Sequence, residues 1–142
     1  MKESISENFS YEEFEASVKA EENKIDNSIP SPEVKEHIKA LVLNVLQPLR
    51  DAWGEPLHIS SGYRCTELNE LVGGVPTSQH VKGEAADIAC DKPLSLAKLA
   101  KDLGLPYDQM ILYPTFVHFS HKLSGPQRGY IGYSKTYKGE ML

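Results

Sequence analysis

The sequence has few of the features that would narrow its class at once. Its 142 residues include only two cysteines, Cys65 and Cys90, which are too far apart for a Cys-x-x-Cys pair. One disulfide or two free thiols are both compatible with them. No apolar run approaches the roughly 20 residues of a membrane span. The first residues are mixed and acidic, without the apolar stretch of a secretory signal, so we expect synthesis in the cytoplasm.

The chain also lacks an excess of basic charge. Its 15 Lys and Arg residues are scattered and are outnumbered by 20 Asp and Glu residues, which gives a formal net charge of -5. Proteins that bind nucleic acid present a basic face or stripe to the phosphates. The charge pattern therefore predicts no nucleic-acid partner. It does not indicate an oligomeric state.

One long helix is the clearest element that the pattern predicts. Ser31 is a typical N-cap, and Pro32 is tolerated as the first helical residue. Apolar residues then recur at helical spacing to about residue 53, at Val34, Ile38, Leu41, Val42, Val45, Leu46 and Leu49. Pro48 lies inside this stripe, so we expect a kink or a break between residues 44 and 47.

The other predicted elements are short. Helices are expected at residues 11–20, where Ser10 and Glu13 can form a capping box, and at 66–72 and 94–103. Strands are expected at 57–61, 85–90, 108–113 and 116–121, the last two as a hairpin. Residues 75–83 are predicted as a loop, and the tail from residue 124 as irregular. The pattern indicates one α+β domain over residues 1–142, with a small antiparallel sheet, flanking helices and a core at about 32–121.

Three residues of the central region could together bind a metal ion. His80 and Asp87 lie in a stretch rich in small residues, and His118 lies in the middle of a predicted strand. Strand alternation places its neighbours Val117 and Phe119 on the opposite face, in the core. Zinc binds neutral imidazole and carboxylate, and catalytic zinc sites usually have three protein ligands and a water. His121 lies three residues further along, and we expect it at the surface.

Several sequence blocks resemble the zinc D-alanyl-D-alanine carboxypeptidase family, which includes phage endolysin endopeptidases and shares its fold with hedgehog signalling domains. The most specific block is Ser-x-His-x-x-Gly-x-Ala-x-Asp, matched by Ser78, His80, Gly83, Ala85 and Asp87. The resemblance covers roughly residues 32–121. The other blocks are residues 59–64, Asn69, residues 72–74, residues 107–109 and residues 117–120.

The resemblance implies roles for specific residues. His80, Asp87 and His118 match the family's metal ligands, which implies one Zn²⁺ per chain. Arg64 matches an arginine that binds substrate and stabilises the developing oxyanion, a task suited to its permanent charge and planar fork. Ser78 matches a serine near the substrate carboxylate.

The catalytic acid/base of the family is where this sequence departs from the pattern. Many members carry a glutamate three residues before the third ligand, and here that position is Thr115. Others place the glutamate five or six residues before the ligand, where this chain has Tyr113 and Leu112. Tyr113 could orient water or donate a proton, although a phenol is a poor base at neutral pH. Asp108, at the start of the same predicted strand, is the other candidate.

Two functions follow as hypotheses. The first is a zinc metallopeptidase that hydrolyses amide bonds in peptidoglycan stem peptides, as a carboxypeptidase or an endopeptidase. Such a protein would act on the cell wall, and bacterial and phage origins are both compatible with the sequence. The second is an inactive zinc-containing module that binds cell-wall peptides or another partner. The missing glutamate motivates it.

Overall fold

The computed structural model describes residues 3–142 and shows a single α+β domain. The N-terminal part contains β1 (Ser4–Ser6), β2 (Phe9–Ser10), α1 (Tyr11–Glu15), α2 (Val18–Glu22), α3 (Pro32–Leu41), a π-helical turn (Val42–Leu46) and α4 (Gln47–Trp53). The remainder contains β3 (His58–Ser61), α5 (Thr66–Leu71), α6 (Gln79–Lys82), β4 (Ala85–Ala89), α7 (Pro93–Asp102), β5 (Gln109–Leu112), β6 (Phe116–Ser120) and β7 (Tyr130–Tyr133). None of the helices described is long and apolar enough to cross a membrane.

The sheet has five strands in the order β3-β4-β6-β5-β7. The first four pair antiparallel, and β5 and β6 form the predicted hairpin. β7 pairs parallel with β5, so the sheet is mixed and not purely antiparallel as predicted. The prediction of an irregular tail is accordingly wrong at residues 130–133. A second, two-stranded sheet joins β1 and β2.

The long helix begins and continues as the pattern predicts, with an adjustment at the proline. The Ser31 hydroxyl accepts the Val34 backbone N–H, and Pro32 is the first helical residue. Pro48 has no N–H, and in a regular helix its ring would clash with the carbonyl four residues earlier. The helix widens to a π-helical turn just before this residue, with the Gln47 N–H bonded to the Val42 carbonyl. The predicted break is therefore a local widening of a continuous helix.

One hydrophobic core joins this helix and α7 to one face of the sheet. The helical contribution comes from the predicted stripe, in which Ile38, Leu41, Val42, Val45, Leu46 and Leu49 are fully buried. The sheet contributes fully buried Ile88, Met110, Leu112, Val117 and Phe119. Each such side chain stabilises the fold by roughly 2 kcal/mol through the area removed from water. Because strand residues alternate in direction, the other face of β4 and β6 is left for Asp87 and His118.

The N-terminal helix is the prediction that fits least well. The helix expected at residues 11–20 is divided, because Ala16 is extended and Ser17 caps a second helix by accepting the Ala20 N–H. The Glu13 carboxylate does accept the Ser10 N–H at 3.0 Å, as the capping box requires. The loop predicted at 75–83 contains α6, a single helical turn that begins after Ser78 and carries His80.

Candidate metal centre

The sheet register brings two of the three predicted ligands side by side. Asp87 in β4 lies directly opposite His118 in β6. Gly83, at the C-terminus of α6, has a φ of +79°, a left-handed conformation that glycine adopts without strain and that turns the chain into β4. Helix α6, which carries His80, contacts the same strand.

The three side chains converge on one point. Single ligand atoms from His80, Asp87 and His118 all lie within 4.8 Å of one another. The Asp87 Oδ1 atom is 2.9 Å from His118 Nδ1 and 3.3 Å from His80 Nε2. The imidazole rings meet edge to face, with their centroids 5.1 Å apart. The three predicted ligands therefore lie close enough together to hold one metal ion.

A backbone carbonyl determines which nitrogen His80 presents. The Gly62 carbonyl oxygen lies 2.7 Å from His80 Nδ1, and it can only accept a hydrogen bond. Nδ1 therefore donates to this carbonyl, and Nε2 is the nitrogen that faces Asp87 and is available to a metal ion. Metal-binding histidines typically have such a bond on the nitrogen that does not bind the metal.

The carboxylate of the cluster is ionised. Burial opposes its charge, but hydrogen bonds from His118 and His80 outweigh burial and hold the pKa of Asp87 well below its usual range. The site thus offers two imidazole nitrogens and one carboxylate oxygen, the donor set that Zn²⁺ prefers. The residues fit this ion, and three protein ligands would leave a coordination position for water or substrate.

Two other predicted residues lie within electrostatic range of the cluster. Arg64 is half-buried; burial lowers the pKa of its guanidinium, while the charge of Asp87 and the hydroxyl of Tyr113 oppose that effect. Burial and Asp87 both raise the pKa of Tyr113. Its ring stacks on Phe116, with the centroids 4.1 Å apart. Tyr113 is therefore a protonated phenol at neutral pH.

Ser78 lies at the N-terminus of α6, immediately before the turn that carries His80. Its hydroxyl oxygen accepts the His80 backbone N–H at 3.2 Å. The hydroxyl proton stays available to donate to a ligand.

Asp108 has different surroundings from those that an acid/base needs. Its side chain is fully buried and accepts hydrogen bonds from the backbone N–H and the guanidinium of Arg128 and from the amide of Gln79. The bonds from Arg128 lower the pKa of Asp108 to about 2. A buried carboxylate held by these bonds has no proton to exchange near neutral pH. The structure therefore argues against the predicted role of Asp108 as acid or base.

Sequence reasoning missed the residues that support the site. The motif that contains Gly62 gives no sign that its carbonyl orients His80. Gln79 links the turn of α6 to Asp108, and Arg128 bonds to the same carboxylate. His121 was expected at the surface, but it is buried with Nδ1 2.7 Å from the Pro106 carbonyl oxygen. Spacing carries no signal for such contacts, because each depends on the folded path of the chain.

Comparison with known proteins decides the family. A family model described as Peptidase M15 matches residues 7–121, which is most of the chain. The chain belongs to the Peptidase M15 family. It is also 31% identical over 86 residues to the zinc D-Ala-D-Ala carboxypeptidase of Streptomyces albus G. That match covers 58% of this chain and 34% of the relative, so the chain spans about a third of the relative's length.

Membership confirms the family that the motifs predicted and supports a zinc peptidase of the M15 type. It also agrees with the observed α+β fold. The family match ends at His121, so residues 122–142, which include β7, lie beyond it.

Proposed function

We propose that this M15 peptidase hydrolyses amide bonds in peptidoglycan stem peptides with one zinc ion held by His80, Asp87 and His118. The observation that carries the proposal is the convergence of these three ligand atoms within 4.8 Å, beside a cationic side chain and a protonated phenol. The similarity to a zinc D-Ala-D-Ala carboxypeptidase supports a D-alanyl peptide as substrate. A carboxypeptidase and an endolysin-type endopeptidase both fit, and either would act at the cell wall.

When bound, zinc would supply an acidified water and would polarise the scissile carbonyl. The protein's own groups would do the rest. The guanidinium of Arg64 would offset negative charge that develops on the carbonyl oxygen. The hydroxyl of Ser78 would donate to a substrate carboxylate.

Tyr113 is the residue that we propose as proton donor to the leaving amine. As the water oxygen bonds to the carbonyl carbon and the C–N bond breaks, the phenol proton would pass to the amine nitrogen. A proton from the attacking water would then restore the phenol. The raised pKa of Tyr113 keeps the phenol protonated at neutral pH, so it carries a proton to donate and does not act as a base.

The test is digestion of purified muropeptides, followed by mass spectrometry. We expect the zinc-loaded protein to release D-alanine or a defined peptide fragment, and a chelator to abolish the release. Zinc-loaded protein that leaves every muropeptide intact would reject the hydrolase proposal.

A second function has one observation in its favour. Thr115 occupies the position of the family's usual glutamate and has no carboxylate that could act as a base. A module that binds wall peptides without cutting them would retain zinc and muropeptide affinity but release no product. The same digestion, combined with binding measured by calorimetry, separates this function from the first.

A further inference from the structure

Arg64 is held by two side chains that leave part of its guanidinium free. Its Nε atom donates to the Ser61 hydroxyl oxygen at 3.2 Å, and its Nη1 atom donates to Asn69 Oδ1 at 3.0 Å. The other guanidinium N–H groups have no hydrogen-bond partner within residues 3–142. The two bonds therefore fix the direction of the guanidinium plane, and the remaining N–H groups are available to bind an anion.

Asn69 can make this bond in only one orientation. It is buried, with 3% of its surface exposed, and its amide nitrogen donates to the Val75 carbonyl at 2.8 Å. Its amide oxygen must then face Arg64. In the flipped orientation the amide oxygen would face the Val75 carbonyl oxygen, and the amide N–H groups would face the N–H groups of Arg64. The Asn69 side chain thus joins the guanidinium to the loop that follows α5.

The loop passes so close to this pair that one position has no room for a side chain. A Cβ atom on Gly74 would lie 2.1 Å from Asn69 Oδ1 and 2.8 Å from Arg64 Nη1. The Gly74 N–H also donates to the Asn69 backbone carbonyl at 2.8 Å. By contrast, a Cβ atom on the adjacent Gly73 would meet nothing within 4 Å.

From these contacts we infer that Asn69 is a positioning residue that orients Arg64 for substrate, and that Gly74 is required for it to do so. This inference depends on the proposed function, in which Arg64 is the group that contacts substrate. Asn69 itself touches neither the metal ligands nor, by our inference, the reacting atoms. Its effect on catalysis should therefore disappear when Arg64 is absent.

A double-mutant cycle tests this coupling directly. The zinc-loaded parent, Asn69→Ala, Arg64→Ala and the double variant are compared by kcat/KM on muropeptides and by zinc content. We expect Asn69→Ala to lower kcat/KM about tenfold to a hundredfold in the parent and less than about threefold in the Arg64→Ala background. Zinc content should stay at one per chain throughout. Equal losses in the two backgrounds would overturn the inference.

Glycine substitutions give a second, matched test that applies even if Asn69→Ala folds poorly. Gly74→Ala should push Asn69 and Arg64 apart and lower kcat/KM as Asn69→Ala does. Gly73→Ala is the control, because its φ of +78° makes alanine strained while leaving the pair untouched. We expect the control to lower the melting temperature only. Similar kcat/KM losses in both variants would contradict the role of the pair.

Binding measurements separate this inference from the proposed function. Muropeptide affinity is measured by calorimetry for the same four proteins of the cycle. If the parent binds muropeptides but cleaves none, the proposed function fails, and the same non-additive pattern is then expected in affinity. Additive effects in affinity as well as in kcat/KM would overturn the inference. A parent that neither binds nor cleaves would overturn both.

Discussion

At the scale of residues, the two histidines present different nitrogens to the same centre. His80 offers Nε2 because its Nδ1 donates a hydrogen bond to the Gly62 carbonyl. His118 offers Nδ1, which lies 2.9 Å from Asp87 Oδ1. The difference follows from the secondary structure, since the His80 ring extends from the helical turn α6 and the His118 ring extends from strand β6. A ligand set with these geometries depends on the sheet register as much as on the residue types.

Tyr113 gives the residue-scale prediction. Replacement by phenylalanine removes the proton donor but keeps the ring that stacks on Phe116, so we expect kcat to fall about a hundredfold or more. Zinc content and melting temperature should be unchanged. The measurement is steady-state kinetics on muropeptides, with Tyr11→Phe as the control because Tyr11 lies in α1, outside the site. A Tyr113→Phe variant as active as the parent would exclude the phenol as acid.

The ligand triad could be predicted from the sequence, whereas its supports could not. His80, Asp87 and His118 were proposed from residue type, strand alternation and a motif, and the structure brings them together. Asp108 was proposed because it begins a strand near the site. Its actual partner, Arg128, lies 20 residues further along and outside the predicted elements. Only the folded tail reveals that this carboxylate is already paired.

At the scale of elements, the site depends on a close contact between the N-terminal helix and the chain after β3. The Tyr63 N–H donates to the Phe14 carbonyl at 2.8 Å. A Cβ atom on Gly62 would lie 2.7 Å from Phe14 Cα and 2.9 Å from its carbonyl oxygen. These are backbone atoms, which cannot move aside as a side-chain end can. The same Gly62 orients His80, so helix packing and ligand orientation are linked.

Gly62→Ala should therefore affect both stability and metal binding. We expect a loss of roughly 1–3 kcal/mol in the free energy of unfolding from overpacking. We also expect weaker zinc binding, because the Gly62 carbonyl would shift away from His80 Nδ1. Chemical denaturation and zinc titration measure the two effects. Gly54→Ala is the control, since no atom lies within 4 Å of its Cβ position, and it should leave zinc affinity unchanged.

The helix with a long periodic pattern was predicted well, as were α5 and strands β3 to β6, whereas α6, β7 and the division of the N-terminal helix were not. The stripe from Val34 to Leu49 identified the main helix because many residues share one face. The single turn α6 has too few residues to show a period, so the pattern predicts a loop there. β7 is short and follows a glycine-rich stretch, and its parallel pairing with β5 depends on a return of the chain that no local pattern encodes.

At the scale of the whole molecule, Asp108 connects residues 122–142, which lie beyond the family match, to the region of the metal centre. Arg128 of that segment bonds to the Asp108 carboxylate, with Nη2 to Oδ2 at 2.7 Å. Gln79, next to the ligand His80, bonds to the same carboxylate oxygen at 3.1 Å. The Tyr130 N–H donates to the Asp108 carbonyl, which begins the pairing of β7. One buried carboxylate thus connects β5, α6 and the tail.

This arrangement predicts a specific acid sensitivity. The folded pKa of Asp108, about 2, lies below its ordinary value of 3.8, so its stabilisation is complete above about pH 4. That stabilisation is lost as the pH falls from about 4 to about 2, because the unfolded chain takes up the proton first. Asp108→Asn should lower the melting temperature at pH 7 by roughly 5 °C and flatten the decline across this window.

Thermal unfolding from pH 2 to pH 7 measures the effect of Asp108→Asn. The control is Asp102→Asn at the exposed end of α7, which should follow the parent curve. Parallel curves for Asp108→Asn and the parent, with the same acid decline, would show that the Asp108–Arg128 pair does not stabilise the fold.

The zinc content of protein dialysed at equilibrium against a fixed free-zinc concentration tests the metal centre itself. The parent and His58→Ala, which alters an exposed histidine of β3, should each retain one zinc per chain. His80→Ala, Asp87→Ala and His118→Ala should each retain close to none. One zinc per chain in all three ligand variants would contradict a metal centre formed by His80, Asp87 and His118.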